Sequence, residues 1–349
     1  MKNKKLFSLL LLFMLVLNVA CSSGGQPTTQ PTQADAQPAT PQPTDVALQP
    51  PKSESRCGDN ICDGSENAEN CPADCAGQAP TQAPPPGVPS LRAGGVDLNT
   101  YRVTNPTNGN DLFVRVLHPA NWNGDVMPTL VLVPGGVGTI EPDRAQALAD
   151  QGFVVVTFDP DGRGHSKGQE DFGGTQQQDG LMAVIRAITG LGEVDKGRIG
   201  VVSFSYGITI ASGALARYPD LPVKFLIDWE GPADRYDTTM DCGPMPRVQW
   251  PSCSDDAAWS QREAITFISQ IRIPYQRLQS EKDHMQPDNL HAVNIINAAV
   301  QGGVPWVRLN DYPPNQTYDA ANPPAMLAET EEKNLEALIA RFAQELFAM

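Results

Sequence analysis

Between Leu112 and Arg308 the chain repeats one pattern: a short apolar run rich in β-branched residues, then a longer stretch with apolar residues three and four apart. The runs Leu112–Leu117, Thr129–Val133, Phe153–Phe158, Ile199–Val202, Lys224–Ile227, Tyr275–Leu278 and Val304–Arg308 predict strands. The stretches Pro142–Gln151, Gln176–Thr189, Ile208–Arg217, Pro287–Ala299 and Thr330–Phe347 predict helices, and the last carries Leu335, Leu338, Ile339, Phe342 and Leu346 on one stripe. Strands that are apolar throughout are buried on both faces, which marks a parallel sheet covered by crossover helices. Residues 99–349 therefore predict an α/β domain with a mostly parallel, doubly wound sheet. Chemistry in such a fold gathers at the carboxyl ends of the strands.

Three motifs stand at those ends. Ser203-Phe204-Ser205-Tyr206-Gly207 follows one strand and opens a helix. Val133-Pro134-Gly135-Gly136-Val137-Gly138 follows another, and Asp159-Pro160-Asp161-Gly162-Arg163-Gly164-His165-Ser166 a third. The first resembles the nucleophile elbow of the α/β-hydrolase family, G-x-S-x-G, with Ser203 in place of the first glycine. The second resembles that family's oxyanion loop and the third the loop after its fourth strand. The resemblance covers roughly residues 100–349 and is nearest to dienelactone-hydrolase and prolyl-peptidase-like serine hydrolases. It implies Ser205 as nucleophile, backbone N–H groups of Gly136 and Tyr206 as oxyanion donors, and Arg163 as a tie between loops.

The base is the difficulty. Tyr275 to His284 resembles the family's penultimate strand and acid loop, which puts Asp283 at the carboxylate's usual place. The family's histidine follows the final strand, yet residues 306–319 hold none, and Asn315 stands about where it would be sought. Two readings stay open. In one, His284 is the base, with the acid drawn from Glu230 or Asp228 after the strand Lys224–Ile227, or from Asp283. Adjacent side chains in a loop usually diverge, which counts against Asp283. In the other, the fold has lost its triad and the protein binds a ligand or wall polymer. His291, one turn into a helix, reads as structural, as do His118 and His165. The leading expectation is a serine ester hydrolase; peptidase action is the weaker one, because no propeller or other gating domain selects peptides. Catalysis is expected to need no cofactor.

Residues 232–273 read as a lid with Tyr236, Met240, Met245, Trp250 and Trp259, an aromatic lining suited to an apolar or ring-bearing acyl group. The same aromatics could equally pack the lid on the sheet. Cys242 and Cys253 bracket a ten-residue loop and are expected to bridge it.

The amino-terminal part has another texture. Lys2, Lys4 and Lys5 precede an apolar run from Leu6 to Ala20, too short to span a bilayer, so residues 1–20 predict a signal peptide. The run ends at Cys21 in a box that resembles a bacterial lipoprotein cleavage site, with Asn18 a departure from it. A lipid on Cys21 would leave six of the seven cysteines for bridges and tie the protein to a membrane outside the cytoplasm. Loss of the leader takes the net charge from −15 to −18, which argues against nucleic acid as a partner. Segments 21–56 and 76–98, rich in Pro, Gln and Thr, predict disordered linkers. Between them Cys57, Cys62, Cys71 and Cys75 fall within nineteen residues, so bridges must replace a core; all three pairings stay open. Asp59, Asp63 and Glu66 among them suit a calcium ion, and the segment resembles cysteine-rich calcium-loop modules of extracellular proteins. Ile61 stands where an EF-hand loop has a side-chain oxygen, so a bridged knot with turn-forming acids is the other reading.

Overall fold

Among the described residues, nine strands hydrogen-bond into one sheet in the order β1-β2-β3-β5-β4-β6-β7-β8-β9. They are β1 (Arg92–Ala93), β2 (Thr100–Thr104), β3 (Asp111–Leu117), β4 (Met127–Val133), β5 (Val154–Phe158), β6 (Val194–Phe204), β7 (Val223–Trp229), β8 (Tyr275–Leu278) and β9 (Val307–Leu309). The computed structural model describes residues 89–95, 99–243, 250–328 and 334–349, all within the unit Thr81–Met349. The expected leader, first linker and cysteine-rich segment, with Cys21, Cys57, Cys62, Cys71, Cys75, Asp59, Asp63 and Glu66, lie outside the described residues, as do Met245 and most of the expected second linker. Residues 89–95 of that linker are described and form β1 at Arg92–Ala93 rather than a disordered stretch. Among the described residues no helix is long and apolar enough to cross a membrane.

The six strands from β5 to β9 pair in parallel, while β1, β2 and β3 add an antiparallel edge. The helices are α1 (Pro142–Ala149), α2 (Thr175–Ile188), α3 (Gly207–Arg217), α4 (Arg235–Thr239), α5 (Asp256–Trp259), α6 (Ala264–Ile268), α7 (Leu290–Gln301) and α8 (Leu335–Phe347). Side chains alternate along each central strand and feed two cores. Val131, Val133, Val201 and Leu226 join α2, α3, α6 and α7 on one face. Leu130, Leu132, Val202 and Ile227 join α1 and α8 on the other. That alternation into two apolar layers is why these strands read as continuous apolar runs.

Two strands at the antiparallel side of the sheet, β1 and β2, are not predicted from the sequence, because Arg92-Ala93 is exposed throughout and Thr100-Tyr101-Arg102-Val103-Thr104 is only part-buried and mostly polar. β9, the edge strand beside β8, starts at Val307 rather than Val304, since Pro305 has no N–H to give to the ladder.

Register places the site. Val133 lies opposite Ser203, Phe204 opposite Trp229, and Trp229 opposite Leu278. The ladder continues one step further, with Ser205 N–H donating to Trp229 O (2.7 Å) and Glu230 N–H to Leu278 O (3.1 Å). Four strand ends are thus level, and everything just beyond them shares one edge of the sheet.

Candidate active site

Ser205 occupies the bend between β6 and α3 with φ of +51°, a left-handed conformation that a β-carbon opposes. Tight packing holds it there. A methyl on Gly207 would come within 2.7 Å of Val133 O and 2.8 Å of Pro134 O. One on Gly135 would meet Phe204 O at 2.6 Å and the Ser205 β-carbon at 2.9 Å. The oxyanion-type loop and the elbow therefore touch backbone to backbone. Ser203, at the first elbow position, is fully buried and hydrogen-bonds Asp228 Oδ1 at 3.1 Å, which gives its hydroxyl a use that glycine could not fill. Gly207→Ala is expected to cost about 1–3 kcal/mol by overpacking, read as a melting temperature several degrees lower. An unchanged melting temperature would mean the Val133–Gly138 loop can retreat.

His284 reaches Ser205 from the loop after β8. Its Nε2 lies 2.9 Å from Ser205 Oγ, and its Nδ1 lies 2.7 Å from Glu230 Oε2. A carboxylate only accepts, so Nδ1 carries the proton and Nε2 turns its lone pair to the serine hydroxyl. Glu230 is fully buried and also accepts from the His284 N–H at 3.2 Å and, through Oε1, from the Ser280 N–H at 3.1 Å. The imidazole stacks on Trp229, ring centres 4.7 Å apart and 20° from parallel. Arg144 of α1 lies over Trp229 at 5.6 Å and pairs with Glu336 of α8 at 3.0 Å.

The other candidate carboxylates are engaged elsewhere. Asp283, expected from the resemblance at the acid's place, accepts through Oδ1 from the N–H groups of Met285 (2.7 Å) and Gln286 (2.9 Å). Its Oδ2 accepts from Gln279 at 2.9 Å and faces His291 Nε2 at 3.2 Å. The nearest Asp283 oxygen is 3.5 Å from His284 Nδ1, against 2.7 Å for Glu230. The structure thus puts Glu230 on the ring nitrogen, because the 281–284 loop folds its own aspartate back into a turn. Burial works to raise the Asp283 carboxyl, but the facing His291, the Gln279 amide and the two backbone N–H groups outweigh it and hold it below the ordinary carboxylate range.

Asp228 is buried against Arg277, accepts from Tyr275 OH at 3.1 Å and from Ser203, and does not reach His284. Burial raises its carboxyl, with Arg277 pulling the other way. His291 is buried too, its Nδ1 3.1 Å from an Arg277 nitrogen and from Gly231 O. His118 stacks on Trp122, and His165 lies on Phe113, both away from Ser205. Asn315 is a correction. It exchanges hydrogen bonds with Val307 (2.7 and 2.8 Å), the first residue of β9, at the opposite edge of the sheet from the strand ends. The chain doubles back through Tyr312-Pro313-Pro314, so Asn315 does not stand at a vacated histidine position.

A pocket of about 370 Å³ opens beside Ser205, with Gly135, Gly136 and Tyr206 on one side and Pro232, Thr238, Met240, Trp250, Met285 and Gln286 around it. Gly136 has φ of +52°, a conformation that suits glycine. Tyr206 OH donates to Phe172 O at 2.6 Å; burial raises its phenol, so it stays a donor. Within the lid, Cys242 and Cys253 are disulfide-bonded. Arg235 pairs with Glu263 and Asp256 (2.6 Å each), and Trp259 is fully buried with its N–H on Ser252 O. Trp259 therefore packs the lid, and Tyr236 faces solvent. Of the lid residues singled out from the sequence, Trp250 and Met240 line the pocket, Trp250 standing edge-on to Tyr206 at 4.6 Å. Among the described residues, the acids and histidine close enough to share a metal ion are Glu230, Asp283 and His284, whose atoms are engaged with one another and with backbone N–H groups.

Sequence reasoning did not find Trp229, Thr238, Met285 and Gln286. Trp229 precedes Glu230, and Met285 and Gln286 follow His284, so their signal was adjacency to residues already singled out. Thr238 gave none.

The comparisons agree with this architecture. The sequence profile of the family described as X-Pro dipeptidyl-peptidase (S15 family) matches residues 108–291, a span that contains Ser205, Glu230 and His284. Among solved structures, the chain is similar to a putative dipeptidyl aminopeptidase IV from Bacteroides ovatus, with 18% identity and a TM-score of 0.51 over 74% of this chain and 36% of that one. It is similar to an acylaminoacyl peptidase from Pyrococcus horikoshii, with 14% identity and a TM-score of 0.52 over 73% of this chain and 40% of that one. It is similar also to Est1E from Butyrivibrio proteoclasticus, solved with ferulic acid, with 16% identity and a TM-score of 0.51 over 69% of this chain and 98% of that one. At these identities the likeness shows the α/β-hydrolase fold. The chain spans 36% and 40% of the two peptidases and 98% of Est1E. No curated protein matches it.

Proposed function

The chain belongs to the X-Pro dipeptidyl-peptidase (S15) family, and on that premise we propose that it is a serine hydrolase that opens a carboxylic ester through Ser205, with His284 as general base and Glu230 as the carboxylate that orients it. The observation that carries this reading is the unbroken chain Ser205 Oγ, His284 Nε2, His284 Nδ1, Glu230 Oε2, with contacts of 2.9 and 2.7 Å. A base within hydrogen-bond reach is what a serine nucleophile requires. The order along the chain, nucleophile then acid then base, is that of the fold family.

In the reaction, Ser205 Oγ attacks the acyl carbonyl as its proton passes to His284 Nε2. The resulting oxyanion faces the backbone N–H groups of Tyr206 and Gly136, both at the pocket wall. The imidazolium, held by Glu230 and covered by Trp229, returns the proton to the leaving alkoxide, and the alcohol departs. Water then gives a proton to His284 Nε2 as it attacks the acyl-enzyme, and His284 returns that proton to Ser205 Oγ as the carboxylic acid leaves. A peptide bond could be opened by the same steps, with the proton going to the departing amine. A purely ligand-binding role has lost its motive, since the histidine that seemed missing lies against the serine.

Activity-based labelling tests the assignment. The protein is expected to react covalently with a fluorophosphonate probe, and Ser205→Ala to be inert while keeping its circular dichroism and melting temperature. A folded wild-type chain that takes no label would refute the enzyme reading.

A further inference from the structure

Among the described residues, the pocket wall carries no carboxylate. Trp250, Met240, Met285 and Pro232 are apolar, and Thr238 and Gln286 are polar but uncharged. Among the described residues that line it, His284 and Tyr206 are titratable, and Tyr206 is a neutral phenol whose hydroxyl donates to Phe172 O. Of the acids nearby, Asp241 beside Met240 is exposed to solvent and does not line the pocket, and the others are committed to partners. Glu230 and Asp283 serve backbone N–H groups and the His284 loop. Asp234 and Asp237 cap the start of α4 through the N–H groups of residues 233, 234, 236 and 237. Glu263 is paired with Arg235, and Asp171 faces Arg262.

A dipeptide released from a free amino terminus brings an α-ammonium into the acyl side of such a site. Buried there without a carboxylate, it would lose its hydration and gain nothing in exchange. A neutral ring or hydrocarbon chain meets the opposite balance. The volume of about 370 Å³ is more than twice the cavity of about 150 Å³ that holds one benzene, so one or two rings fit. The Trp250 edge on Tyr206 supplies an aromatic wall on which a flat acyl group can lie.

We propose that this pocket takes an uncharged, apolar, ring-bearing acyl group and rejects acyl groups with a free α-ammonium, so that the substrates are neutral esters rather than dipeptides with an open amino terminus. The proposal rests on the reading of Ser205 as nucleophile. Neutrality of the wall sets the class, and Trp250 and Met240 set the shape.

The test uses the full chain and a matched pair of activated esters, 4-nitrophenyl 3-phenylpropanoate and the 4-nitrophenyl ester of phenylalanine, which differ by one ammonium group. At about pH 6 the amine is protonated. The neutral ester is expected to be favoured by at least about 100-fold in kcat/KM, with glycyl-proline 4-nitroanilide left uncleaved. Met240→Glu places a carboxylate on the wall and is expected to shrink the ratio by about tenfold or more, while Met240→Gln leaves it in place. Fluorophosphonate labelling is followed alongside. Labelling with equal or inverted preference would overturn the proposal and leave the Ser205 reading standing. Absence of both labelling and hydrolysis would overturn the two together.

Discussion

Replacing His284 by alanine is expected to cut turnover of an activated ester by about 10²–10⁴-fold, the range that general-base assistance supplies. The argument is geometric. His284 Nε2 stands 2.9 Å from Ser205 Oγ, and none of the other three histidines approaches that hydroxyl. Its ring is fixed on three sides, by the Glu230 carboxylate, the Trp229 face and the serine itself. KM should change much less than kcat, because the ring edge forms little of the pocket wall. His291→Ala is the informative partner. It removes a buried ring that faces Asp283 and Arg277, so its effect should fall on the melting temperature. A folded His284→Ala that keeps its rate, beside a His291→Ala or His165→Ala that loses it, would defeat the assignment.

The fold was legible because the central strands are buried on both faces. Val131, Val133, Val201 and Leu226 reach one core and Leu130, Leu132, Val202 and Ile227 the other, so the apolar runs stood out. β1 is exposed throughout and β2 only part-buried, so neither left such a run. Ser205 was legible because a strand, a small-residue bend and a helix follow one another without a break. The acid was not. Asp228, Glu230 and Asp283 all lie within reach of the right sheet edge, and sequence order cannot say which way each side chain turns. Register decides it: Asp228 falls within β7 and points at Arg277, whereas Glu230 lies one step past the strand end with φ of +50°, which turns its carboxylate toward the 280–284 loop. Asn315 misled for a related reason. β9 spans three residues, so the segment after it has already turned back to the far edge where a histidine would do nothing.

Glu230→Gln is expected to lower kcat by about 10²–10⁴-fold while Asp283→Asn lowers it less than about tenfold, a contrast that follows from which oxygens accept what. Both Glu230 oxygens are acceptors: Oε1 from Ser280 N–H, Oε2 from the His284 backbone and ring. An amide cannot satisfy both sides. If its NH₂ faces His284, Nδ1 must become the acceptor, the proton moves to Nε2, and the ring can no longer take the serine proton. If its NH₂ faces Ser280, two donors meet in a buried space and the loop is pushed away. In Asp283→Asn the carbonyl oxygen can still accept from Met285 and Gln286, and the new NH₂ falls toward Gln279 and His291. That exchange weakens the loop's packing and should appear as a lower melting temperature, more marked than the loss of rate. Steady-state kinetics on one activated ester, with thermal melts of both variants, reads out the pair. Equal loss of kcat in two folded variants would place Asp283 in the working triad beside Glu230, and a large loss confined to Asp283→Asn would remove Glu230 from it.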